Sequence, residues 1–187
     1  EHYKGMIEYR PKHKVSDVDA ATNTLKFEFN DDFKAAVANV VPNMRAGDIA
    51  VRTGLATANN RWCEVDFLTF ESKAKKNIHV LGDAIQIAPG MPKSGHMANQ
   101  HGKTCAAAVV SLLMGKEPPS LPIYANTCYS FVTATDVVHV ASVHKYDAAQ
   151  KTMLTVPGSG GLSSAASELE GQYAMAWARN IWADSLA

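Results

Sequence analysis

Apolar and polar positions change period several times along the chain, and each change marks an element. Leu25-Lys-Phe-Glu-Phe29 alternates with a period of two, which predicts a strand with one covered face. Met6-Ile-Glu-Tyr9 mixes apolar and polar positions, and residues 6–41 as a whole read as β structure. Asn30-Asp31-Asp32 supplies a turn. The nearly continuous apolar run Ala35–Val41 then suits a strand covered on both faces, ended by Pro42. Ala46–Leu55 reads as a short helical or irregular link closed by Gly54, and Val65–Phe70 as a short strand. Ile78–Leu81 is a branched apolar strand that stops at Gly82-Asp83.

The second half is more regular. A Pro/Gly-rich loop, Ala88–Lys93, leads to Ser94, the N-cap of a helix running to about Met114 and stopped by Gly115. Pro118, Pro119 and Pro122 mark the stretch from Gly115 to Pro122 as a linker. Tyr129–Val132, Val137–Val143 and Thr152–Val156 predict an antiparallel meander, with Gly158–Gly161 as a loop. Ser167 and Glu170 form a capping-box pattern for a last helix whose Leu169, Tyr173, Trp177 and Ile181 share a face. The expected fold class is α/β, with an α+β C-terminal part.

Composition narrows the function. Over 187 residues, 47% are hydrophobic and 19% charged, so the chain has the material for a packed core, in one domain or two small ones. Net charge is zero and no Lys/Arg block stands out, which argues against a nucleic-acid surface. The longest apolar run, Cys105–Met114, is about half the ~20 residues a membrane span needs. Glu1 opens into a polar stretch without a signal-peptide pattern. His96 and His101 are five apart, as are His139 and His144, and no Cys-x-x-Cys pair occurs, so no metal site is expected. Three cysteines, Cys63, Cys105 and Cys128, cannot all pair with one another.

The strongest chemical signal is the strand ending in Gly82-Asp83, followed by a loop and a helix start. Gly82 lets the backbone approach a ligand closely. Asp83 offers a carboxylate to sugar-like hydroxyls. The helix opening at Ser94–Met97 has free N–H groups and a positive dipole end, fit for a phosphate or for negative charge developing on a ring. Read alone, Gly82-Asp83 is more often a plain turn. A lone cysteine such as Cys128 is more often a buried inert thiol.

Longer stretches carry more information. Phe33–Pro42, Thr69-Phe70 and Asn77–Ala84 resemble the pyridine nucleotide–disulphide oxidoreductase superfamily in order and spacing. Met91-Pro-Lys-Ser-Gly95, Asn99-Gln100, Gly102-Lys103, Asn126-Thr-Cys-Tyr-Ser130 and Gln172–Trp177 are similar to the flavin subunit of flavocytochrome c sulfide dehydrogenase. That resemblance implies FAD as cofactor, with Gly82 and Asp83 at the ribityl chain and the Ala84 amide at the pyrophosphate. Lys93, Ser94 and Gly95 would lie by the pyrimidine side of the isoalloxazine, and Trp177 near the ring. Cys128 matches the redox-active cysteine, where sulfide would be oxidised and two electrons passed to FAD. Cys63 and Cys105 are expected to pack as small hydrophobes.

The resemblance further implies a c-type cytochrome partner carrying the haem, and a periplasmic location. Two related readings stay open: a sulfide:quinone oxidoreductase-like flavoprotein, and a non-catalytic structural or interaction domain. The Gly-x-Gly-x-x-Gly unit that would grip the ADP half of FAD and a second redox cysteine are absent from these residues, and Asn43-Met44 stands where the family tends to show Pro-Gln. The chain is therefore expected to be the C-terminal fragment of a two-dinucleotide-domain flavoprotein, inactive by itself and missing its N-terminal half. In that scheme residues 1–45 are the tail of the pyridine-nucleotide-like domain, 46–116 half of the FAD domain, and 117–187 the C-terminal domain.

Overall fold

The computed structural model describes residues 3–186; Glu1, His2 and Ala187 lie outside the described residues. Helices and sheets both contribute, so the chain is α/β. It divides into two compact units, Glu1–Met44 and Arg45–Ala187.

The first unit is a small antiparallel sheet of β1 (Val15–Asp19), β2 (Thr24–Phe27) and β3 (Phe33–Lys34), in that order. Asp19 shapes the β1–β2 turn by accepting from the Ala21 N–H and the Thr22 hydroxyl. The sheet is shorter than the sequence suggests. Met6–Tyr9 forms no strand, and neither does Ala35–Val41, whose Val37 and Val41 are more than four-fifths exposed. An apolar run makes a buried strand only where a neighbour pairs and covers it, and none of the described residues does so here.

The second unit opens with α1 (Asp48–Arg52), inside the expected link. Val65–Phe70 and Ile78–Leu81 have the apolar pattern of strands but join only single bridges, Val65 to Ser72 and Glu71 to His79. Gly82–Ala84 then turns as one 3-10 turn, with Gly82 at φ +70°. A side chain at Gly82 would meet the Ala98 methyl at 3.2 Å, so glycine here permits both the backbone conformation and the close approach of the turn to the next helix. That helix, α2, spans Gly95–Leu113; Ser94 caps it by accepting from the Met97 N–H, and Gly115 at φ +68° follows its end.

The meander follows as β4 (Ile123–Phe131), β5 (Val137–Asp147) and β6 (Thr152–Thr155), antiparallel in sequence order. β4 begins six residues before the expected Tyr129. Its early part alternates exposed and buried, but buried Asn126 interrupts the apolar signature. Gly161-Leu162, expected as loop and its exit, pairs with β5 as β7. Among the described residues, the outer edge of β4 has no strand neighbour. Instead α2 lends side chains: Gln100 accepts from the Ala125 N–H and donates to its carbonyl, and His96 Nδ1 accepts from the Thr127 N–H. One helix thereby satisfies an open sheet edge.

The last helix, α3 (Glu168–Leu186), packs against β5. Its buried face differs from the expected stripe. Gly171 and Ala174 are buried, whereas Leu169 and Tyr173 are each 53% exposed; Trp177 and Ile181 are half-buried. The small residues win because the approach is tight: a Cβ at Gly171 would sit 2.2 Å from the Thr135 carbonyl oxygen. Of the capping box, only Ser167 Oγ accepting from the Glu170 N–H forms. The Glu170 carboxylate instead receives the Ser163 hydroxyl and lies 3.0 Å from His139 Nδ1, fastening α3 to β5.

Two apolar clusters underlie these elements. One joins Phe70, Ile85, Met97, Cys105, Tyr124 and Met153; the other, Ala46, Ala50, Trp62 and Cys63. Cys63 and Cys105 are thus small core residues, and burial pushes both thiols above their ordinary pKa. Among the described residues no helix is long and apolar enough to cross a membrane. No group of three or more metal-binding side chains occurs among them either.

Candidate functional site

The start of α2, the middle of β4 and the exposed side of α3 converge on one open groove of about 520 Å³. Ser94, Gly95 and His96 line it from α2, Cys128 and Tyr129 from β4, and Trp177 from α3. Four of the expected residues, Ser94, Gly95, Cys128 and Trp177, therefore share this groove. Gly82, Asp83 and Lys93 do not; they border a separate narrow crevice with Met97 and His101. Ala84 faces a third hollow, beside Ile78 and Val80. The turn and the groove are linked through α2, whose Ala98 leaves little room for a side chain at Gly82 and whose first residues open into the groove.

The turn is held from two sides. Its Gly82 N–H donates to Nδ1 of His101 at 3.3 Å, one turn and a half along α2 from the groove. His101 is almost fully buried between the rings of Phe70 and Tyr124, and desolvation, with Lys93 nearby, lowers its pKa to about 4. It is therefore a neutral acceptor. Lys93 reaches under the turn from the other side, donating to the carbonyls of Asp83 at 2.8 Å and Ile85 at 2.5 Å. Its ammonium also sits 4.0 Å from the Trp62 ring centroid, and desolvation lowers its pKa. Asp83 itself points outward and is exposed.

Within the groove, polar groups are already arranged. Because a backbone N–H donates to His96 Nδ1, the proton of the neutral ring lies on Nε2. Burial keeps the His96 pKa below its ordinary value. The His96 and Tyr129 rings flank Trp177 at 5.4 and 5.8 Å, and the indole N–H of Trp177 is buried without a partner. Cys128 is half-buried, and its sulfur accepts from the Asn126 amide at 3.4 Å. It also borders a second hollow of about 590 Å³, formed with Gly90, Pro92, Val140 and Gly161.

The sequence motifs include Asn126 beside Cys128 but assign no bonding role to it, to His96 or to His101. The histidines were weighed only as a metal pair, although one partners a backbone amide of the turn and the other one of β4. Asn126 was hidden by the late start assigned to its strand: on a strand that includes it, Asn126 and Cys128 are two apart and share a face.

Comparison with protein families gives two matches. Residues 120–186 match the family described as flavocytochrome c sulphide dehydrogenase, flavin-binding, and residues 1–42 match sulfide dehydrogenase [flavocytochrome c] flavoprotein chain, central. The cofactor of this family is FAD, and the residues present fit it. The exposed Asp83 carboxylate suits ribityl hydroxyls, and the Gly95 and His96 N–H groups at the start of α2 have no partner inside the helix. Trp177, whose buried indole N–H has no partner, adds an aromatic wall to the same groove. The two matched segments, taken with this groove, place the chain in a family: it belongs to the flavoprotein chains of flavocytochrome c sulfide dehydrogenase.

Proposed function

We propose that Cys128 is the sulfur at which this flavoprotein oxidises sulfide. Cys128 shares its groove with the positive end of α2 and with Trp177, and that co-location carries the reading. Bond formation between a hydrosulfide ion and the Cys128 thiol yields a persulfide anion, two protons and two electrons. FAD, when bound, supplies the two-electron acceptor. Asp83 and the Ala84 amide would hold its ribityl–pyrophosphate part, while the N–H groups of Gly95 and His96 would stabilise negative charge on its ring. Lys93 serves the same end at one remove, fixing the carbonyls of the turn so that its other face stays open. Electrons then leave to a c-type cytochrome, the partner that the family implies, and the reaction belongs to the periplasm. In domain terms residues 1–45 close the pyridine-nucleotide-like part, 46–116 belong to the FAD part, and 117–187 form the C-terminal domain that brings Cys128 to the flavin.

The test is Cys128→Ser in the FAD-loaded enzyme. Sulfide should no longer bleach the visible flavin band, while dithionite still reduces it fully. Bleaching by sulfide at the wild-type rate would make Cys128 structural. Re-oxidation by a soluble quinone in preference to cytochrome c would instead favour a quinone-reducing enzyme.

A further inference from the structure

Cys128 has one polar side chain on its sulfur, and that side chain is itself held in place. Asn126 is buried, 3% exposed, on the same face of β4. Its Oδ1 accepts from the Ser94 hydroxyl at 2.7 Å, and its Nδ2 donates to Cys128 Sγ at 3.4 Å. Ser94 Oγ accepts from the Met97 N–H as the cap of α2, which leaves its single proton for Asn126. With Oδ1 taking that proton, the NH₂ end of the amide faces the sulfur. The chain of bonds runs from the α2 N-terminus through Ser94 and Asn126 to Cys128.

Orientation matters because the two ends of an amide serve opposite states. An NH₂ group stabilises negative charge on sulfur, whereas a carbonyl would accept from an S–H and stabilise the neutral thiol. The thiolate is the nucleophile in sulfur–sulfur chemistry. A buried amide is also costly unless its groups are paired, so Asn126 at this position has a cost that its two bonds offset. We propose that Asn126 is the positioning residue of the reacting sulfur: locked by Ser94, its amide fixes Cys128 Sγ in the groove and stabilises negative charge on it. This rests on the role given to Cys128 above.

The experiment follows thiol reactivity as well as turnover. FAD-loaded enzyme, pre-reduced with a dithiol, is treated with iodoacetamide across a range of pH, and modification of Cys128 is quantified by peptide mass. Cys128→Ser sets the background from buried Cys63 and Cys105. Hydrogen bonds to charged groups are strong enough that Asn126→Ala should slow alkylation at neutral pH about tenfold and move the profile to higher pH. Asn126→Asp, which turns only acceptors toward the sulfur, should slow it further. Ser94→Ala should lie between wild type and Asn126→Ala, and it tests the link in a protein whose amide is still present. An unchanged flavin spectrum in each variant confirms that the fold is retained. Wild-type alkylation rates at every pH in both Asn126→Ala and Ser94→Ala would overturn the proposal. Sulfide turnover that survives Cys128→Ser, with alkylation still dependent on Asn126, would sink the assignment of Cys128 but leave the Asn126 bond to its sulfur standing.

Discussion

Gly171→Ala is a sharp test of how α3 is seated. In an ordinary helix this change stabilises by up to about 1 kcal/mol, because alanine loses less backbone freedom on folding. Here the added methyl would begin 2.2 Å from the Thr135 carbonyl oxygen and 3.7 Å from the Val137 side chain. Ordinary contact is about 3.4 Å or more, so helix and turn must part by roughly 1 Å. The obstacle is backbone, which cannot rotate away as a flexible side chain can. Overpacking of this kind costs about 1–3 kcal/mol, and it exceeds the helical gain. The expected net effect is a loss of about 1–2 kcal/mol. Urea unfolding followed by tryptophan emission is the assay, since Trp62, Trp177 and Trp182 all lie in the second unit. With a slope of about 2 kcal/mol/M, the midpoint should fall by roughly 0.5–1 M. A midpoint that rises would mean that α3 does not sit against the Thr135 turn, and the groove built from Trp177 would have to be redrawn.

Two further outcomes follow from the turn and its anchors. Asp83→Ala should weaken FAD retention about tenfold, the loss of one good hydrogen-bonding group, while urea stability barely changes; retention equal to wild type by equilibrium dialysis would remove Asp83 from the cofactor site. His101 should make the fold acid-sensitive. Its pKa falls from 6.5 unfolded to about 4 folded, so the unfolded chain takes up its proton first and stability drops as pH falls from 6.5 to 4. At about 1.4 kcal/mol per unit this amounts to roughly 3 kcal/mol, with no contribution above pH 6.5. His101→Gln keeps an acceptor for the Gly82 N–H and should flatten that part of the stability profile; an unchanged slope would show that other groups cause it.

What the sequence made legible was local. Ser94 and Gly115 bracket α2 because a cap and a left-handed stop act within a few residues, and the meander announced itself through alternation. Strands that depend on a distant neighbour were misread. Ile78–Leu81 has the right residues but makes only one bridge, and Ala35–Val41 has nothing among the described residues to cover it. Candidate site residues on α2, β4 and α3 came together in one groove, yet Asp83 and Lys93 did not join it. The anchors were invisible for a different reason. Glu170 meets His139 across 31 residues and Ser94 meets Asn126 across 32, and no periodicity encodes a hydrogen bond at that range.

Cys128 stands in the middle of β4, opposite Val140, with Leu162 of β7 paired on the far side of Val140. Its backbone is thus part of a three-strand platform rather than of a loop. Its sulfur can change rotamer but cannot travel. On the function proposed above, the second sulfur, from sulfide or from another cysteine, is then the partner that must come and go, while the anvil stays where it is.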